Sequence, residues 1–130
     1  MNQRPLSPHL GVYKFMYTMA LSILHRITGC AASVGFLLFV WWLMALASGP
    51  AAYASAMSAL GSPLAKLLLV AFTFSFVFHF CNGIRHLVWD TGRGLERAQA
   101  RRSGVVVVIA ALLLTAVIVA FSCRAFGLAP

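Results

Sequence analysis

Acid is what this chain has least of. Two Asp or Glu residues stand against ten Lys or Arg, a formal net charge of +8. Such a balance raises nucleic acid as a partner. The placement argues against it: the basic residues flank apolar runs and form no patch on a polar surface, so no nucleic-acid partner is expected. Charge of either sign is scarce, 9% of 130 residues against 62% hydrophobic. A soluble domain of this size cannot bury that much apolar surface. The N-terminus does not read as a signal peptide: Arg4-Pro5-Leu6-Ser7-Pro8-His9 holds two prolines and no apolar core, and no Arg- and Ser-rich transit segment is expected. Cysteine is sparse as well. Cys30, Cys81 and Cys123 are odd in number, widely spaced and set in apolar surroundings, which excludes a disulfide framework or a zinc motif.

What is present is three long apolar runs, at about residues 21–47, 64–90 and 104–126. Each exceeds the ~20 residues that cross a bilayer as a helix. Lipid offers backbone groups no partners, and the runs lack the alternation of barrel strands, so an all-α membrane protein with three transmembrane helices is expected. Residues 1–20 read as an N-terminal interfacial segment, with Tyr13 and Tyr17 suited to the headgroup region. Residues 21–130 read as the membrane anchor domain. The first connection, Ser48 to Pro63, carries Gly-Pro and Ser-Pro punctuation, no charge, and reads as a loop. The second carries Arg93, Arg97, Arg101 and Arg102 against Glu96. The positive-inside rule then places the N-terminus and second connection in the cytoplasm or matrix and the C-terminus outside. A bacterial inner membrane, or a mitochondrial inner membrane for an organellar chain, is the expected location.

Ionisable side chains inside a bilayer are costly and seldom idle. His79, Gly83 and His86 fall at i, i+4 and i+7, on one helical face. His79 lies ~16 Å along the helix from Asp90, well into the membrane. A packing histidine bonded to a neighbouring helix is the plain alternative. A neutral imidazole with glycine one turn away is also what a flat metal cofactor on a membrane helix requires, so His79 is the candidate axial ligand of a haem iron. His86 shares its helix and cannot reach the opposite haem face. His25, a turn into the first span, is placed ~10 Å shallower than His79. The third span has no histidine. A second axial imidazole must then come from another chain. Basic residues at the helix ends, His25, Arg26, Arg85 and His86, are candidates for the haem propionates, with interfacial anchoring the plainer reading of Arg85.

Ser22, His25, Arg26 and Gly29 share a face of the first span at i, i+3, i+4 and i+7. A hydroxyl and a guanidinium there suit carbonyl or carboxylate oxygens. Gly29 and Ser33 form a small-xxx-small pair that lets a helix or flat ligand approach. Phe72, Phe76 and Phe80 form a stripe at i+4 spacing that reads as packing or a ligand wall. Asp90 reads as an interfacial ion pair with Arg93.

Three blocks together resemble the succinate dehydrogenase cytochrome b subunit family, the larger membrane anchor of succinate:quinone oxidoreductase (respiratory complex II). They are Arg4 to Leu10 with Tyr13, Ser22 to Arg26 with Thr28 and Gly29, and His79 to Asp90 followed by Gly92. The resemblance implies haem b held by His79 together with a histidine of the small anchor subunit. It implies a ubiquinone site at Ser22 and Arg26 beside the iron–sulfur subunit, propionate contacts near His25 and Arg26, and succinate oxidation in a separate flavoprotein subunit. A fumarate reductase-type anchor, or a structural anchor or small transporter without haem, are the competing expectations.

Overall fold

The structure is a computed structural model and describes residues 16–125. The block Arg4–Leu10, Tyr13 and most of the expected interfacial segment lie outside the described residues, as does Phe126. The described chain is all helix: α1 (Tyr17–Ala47), α2 (Pro50–Leu60), α3 (Pro63–Asp90) and α4 (Arg97–Ala125). Three of these, α1, α3 and α4, are long and apolar enough to cross a membrane. At 1.5 Å per residue they run ~42–46 Å, against a hydrocarbon core of ~30 Å, so each projects into the interface.

That projection corrects two boundaries. The first helix begins at Tyr17 rather than 21, and the last at Arg97 rather than 104. Apolar composition marks where the bilayer core lies. In α4 the good helix formers Arg97, Arg101 and Arg102 carry the helix on beyond the apolar run.

The first connection is not a loop. Its alanines make an eleven-residue helix, α2. The Gly-Pro and Ser-Pro pairs mark helix borders. Gly49 turns the chain at φ 106°, and Pro50 takes the first helical position. Pro63 does the same for α3, where the Ser62 hydroxyl accepts from the Ala65 N–H at 3.3 Å.

The central element is α3, which packs against both α1 and α4. Leu21, Val77, Phe78, Val107 and Ala111 form the buried core, with Leu24, Phe74, Cys81 and Val108 against it. Most other large apolar side chains face outward; Leu37 and Phe121 are 71% and 73% exposed, as lipid-facing residues should be. The phenylalanines of α3 divide by face. Phe74 and Phe78 turn to the core, whereas Phe72, Phe76 and Phe80 stack along one side with Phe36 of α1.

Candidate functional site

Helices α1 and α3 meet at two imidazoles. The rings of His25 and His79 stack with centroids 4.0 Å apart and planes 4° from parallel. This overturns the expected difference in depth. Because α1 starts four residues earlier than apolar composition marks, His25 lies ~12 Å from its start. The two histidines are level. His79 Nδ1 lies 3.1 Å from the backbone carbonyl of His25. A carbonyl only accepts, so Nδ1 carries the proton and Nε2 keeps the lone pair. One glycine makes the approach possible: a Cβ on Gly29 would lie 2.9 Å from His79 Cε1.

Beside the ring lies an open recess of about 240 Å³, lined by Gly29, Ala32, Ser33, Phe36, Phe76, His79 and Phe80. Pockets that enclose a ligand run ~300–1,000 Å³, so this face is one wall of a site rather than a whole one. Gly83, expected to make room near His79, has no side chain or neighbouring helix among the described residues within 4 Å of an added Cβ. The glycine that seats the imidazole is Gly29. Its small-xxx-small spacing with Ser33 was the signal for it.

His86 closes the cluster from the end of α3. Its centroid is 5.1 Å from that of His25, tilted by 40°, and 5.1 Å from that of Trp89, edge-on at 88°. The lone pairs of an imidazole lie in the ring plane. The parallel rings of His25 and His79 therefore cannot point at one atom. Among the described residues no three His, Cys, Asp or Glu side chains are placed to hold a metal ion.

Ser22 and Arg26 are exposed, one turn apart on α1, with half-buried His25 between them. No partner is found for the Arg26 guanidinium among the described residues. Both side chains are free to meet a neighbouring chain or a small molecule.

Arg85 does not reach outward as an interfacial anchor. It is 6% exposed and bridges α3 to α4. Its Nε donates to Ser103 Oγ at 2.9 Å, one terminal nitrogen to Asn82 Oδ1 at 3.2 Å, and the other to the Ala100 carbonyl at 2.9 Å. Its guanidinium carbon sits 3.9 Å over the Trp89 ring. The expected pair between Asp90 and Arg93 does not form; among the described residues there is no ion pair, and Trp89 Nε1 donates instead to the Gly94 carbonyl at 3.0 Å. An asparagine and an arginine a turn apart on an apolar helix were signal enough for a buried polar clamp. Its acceptors on α4 are a serine and a backbone carbonyl, which no motif marks.

Residues 1–118 match the family described as the succinate dehydrogenase/fumarate reductase transmembrane subunit. The chain is 43% identical over 114 residues to the succinate dehydrogenase cytochrome b556 subunit of Rickettsia prowazekii (strain Madrid E), covering 88% of this chain and 89% of that protein. It is 39% identical over 111 residues to the cytochrome b556 subunit of Paracoccus denitrificans, covering 85% of each. It is 40% identical over 114 residues to the mitochondrial cytochrome b560 subunit of Homo sapiens, covering 86% of this chain and 68% of that one.

Proposed function

The chain belongs to the succinate dehydrogenase/fumarate reductase transmembrane subunit family, as a membrane anchor subunit of the succinate dehydrogenase type, and we propose that it binds haem b through His79 and helps to form a ubiquinone-reduction site through Ser22 and Arg26. One observation carries the haem reading. The His25 carbonyl holds the proton of His79 on Nδ1 and so leaves Nε2 as the donor nitrogen, beside an apolar recess. A backbone carbonyl on the far nitrogen is the usual device for fixing a metal-binding imidazole.

Phe36, Phe76 and Phe80 supply the apolar wall a porphyrin face needs, and His25, Arg26 and His86 the polar end for its propionates. Bound haem supplies a one-electron redox centre within the membrane. Of this chain's side chains His79 would hold the haem iron, and a histidine of a small membrane anchor subunit would hold it from the open side of the recess.

Ser22 and Arg26 would hold a quinone carbonyl from two directions. The Ser22 hydroxyl and an Arg26 N–H both donate to its oxygen, and both bonds strengthen as negative charge builds there. Two electrons from the iron–sulfur subunit and two protons convert quinone to quinol. The flavoprotein subunit oxidises succinate elsewhere. The positive-inside rule favours the cytoplasmic or matrix side for the N-terminus and the arginine-rich α3–α4 connection, where soluble subunits would meet the lipid-dissolved quinone.

The test uses the co-expressed complex. His79→Leu should abolish or severely perturb the b-type reduced-minus-oxidised spectrum, and His86→Leu should only shift it. Ser22→Ala and Arg26→Leu should slow quinone reduction and leave dye-linked succinate oxidation intact. A charged hydrogen bond is worth ~1.5–3 kcal/mol, so Arg26→Leu should cost roughly ten- to hundredfold, more than Ser22→Ala. A normal spectrum in His79→Leu, or wild-type quinone rates in both α1 variants, would refute the assignments.

A further inference from the structure

Arg85 is where the structure offers something beyond that reading. A guanidinium one turn from the end of a membrane helix can normally reach the headgroups along its aliphatic stem. Arg85 turns inward instead, into a site 6% exposed with no acidic partner among the described residues. A buried charge at membrane depth is expensive unless its donors are met. Asn82, Ala100 and Ser103 meet them with neutral oxygens. The two acceptors on α4, Ala100 and Ser103, would satisfy a purely structural bridge between α3 and α4. The fourth contact does something else: the guanidinium carbon lies over the Trp89 ring, 3.9 Å from its centroid.

That indole is held three ways. Arg85 covers its face, the Gly94 carbonyl takes its N–H at 3.0 Å, and its ring meets His86 edge-on. His86 in turn rests on His25, and His25 stacks on His79. Five side chains thus form one continuous column, Arg85, Trp89, His86, His25 and His79. Its far end is anchored to the first turns of α4 through Ala100 and Ser103. Aromatic contacts of this kind fix ring planes as well as positions.

We propose that Arg85 and Trp89 are positioning residues. They set the ring plane of His79 through His86 and His25, and so couple the start of α4 to the geometry of the axial imidazole. The proposal rests on the assignment of His79 as a haem ligand and goes beyond it by naming what holds that ligand's plane. It differs from ordinary helix bridging in a measurable way. A bridge alone affects how much complex assembles, whereas a positioning column affects the electronic signature of what has assembled.

The experiment uses the purified, co-expressed complex and reads the low-spin g-values of the oxidised haem together with its midpoint potential. Arg85→Lys keeps the charge but loses the planar fork. Trp89→Leu removes the ring, and Trp89→Phe keeps a face for Arg85 and an edge for His86. Both Arg85→Lys and Trp89→Leu should displace the g-values and the potential, with Trp89→Phe close to wild type. Thr115→Val, a buried change elsewhere on α4, should leave both readings unchanged. Because Arg85 acts through His86, adding Arg85→Lys to His86→Leu should shift the signal no further than His86→Leu alone. Unchanged signals in assembled Arg85→Lys and Trp89→Leu, additive shifts in the double variant, or an equal shift in Thr115→Val would overturn the proposal. Should Arg85→Lys fail to assemble, the contrast between Trp89→Leu and Trp89→Phe decides, and equal signals overturn it. A full signal in His79→Leu would instead overturn the ligand assignment beneath it.

Discussion

The two ends of this bundle are held by different chemistry. At the end where α1 begins and α3 stops, polar side chains reach across helices: His79 to the His25 carbonyl, Arg85 to Ser103 and Ala100. At the α2 end the hydroxyls that make hydrogen bonds among the described residues make them within their own helix. Ser48 donates to the Met44 carbonyl, Ser55 to that of Ala51 and Thr73 to that of Leu69. There the contacts between helices are apolar and aromatic, with Phe72 seated at Gly35 and Trp42 facing Tyr53. Hydrogen bonds between helices specify register; a hydroxyl bonded to its own backbone specifies nothing about a neighbour. The end that carries the candidate site is therefore the end whose register is fixed by directional bonds. The other end supplies span and packing.

The difference can be broken at its strongest point. Arg85→Leu removes three hydrogen bonds and leaves Asn82 with no partner for its oxygen; its Nδ2 already has none. Bonds between membrane helices are worth ~0.6 kcal/mol each on average and ~1.7 at most, and an orphaned buried amide adds to the loss. The expected cost is ~2–4 kcal/mol, read as a lowered midpoint in denaturant titration of the detergent-solubilised complex. A loss under ~1 kcal/mol would mean that the clamp does not define this end.

At the opposite end, Gly35→Ala should cost ~1–3 kcal/mol by overpacking, because its Cβ would enter the Phe72 ring. The same titration reads it, and the haem signal should move less than in a variant that touches the His79 ring itself, because Phe72 reaches the recess only through Phe36 and Phe76. Gly29→Ala makes the sharper contrast. Its Cβ would meet the His79 ring at 2.9 Å, so the ring must give way. A shifted haem spectrum with a smaller change in stability is expected, and the reverse pattern would dissolve the contrast. Smallest of all should be Ser48→Ala and Ser55→Ala, each within ~0.5 kcal/mol, since both hydroxyls are exposed and bonded within their own helix.

Much of this was legible beforehand, and for physical reasons. Lipid forces helices, so long apolar runs announce spans, and an imidazole deep in such a run announces a role. What composition could not reveal was how the helices line up. Starting α1 at 21 rather than Tyr17 accounts for ~6 Å of the supposed ~10 Å offset between His25 and His79; the rest is the end of α3 running past the start of α1. Helix α2 was hidden because Gly-Pro and Ser-Pro pairs bound loops and helices alike. Arg85 was misjudged because its partners sit on the next helix, and no spacing along α3 encodes them.

The bond that fixes the His79 tautomer has an unusual genetic consequence. Its acceptor is the main-chain oxygen of residue 25, which every amino acid supplies. A scan of all substitutions at that position would report on the imidazole and stay silent about the acceptor. The same oxygen lies 3.0 Å from Thr28 Oγ1. Sequence can drift at position 25 without erasing the instruction it gives to His79. What variation can reach is the hydroxyl at position 28, whose single proton has two acceptors, the Leu24 carbonyl at 2.8 Å and this oxygen at 3.0 Å; when it turns to the latter it shares the acceptor with His79.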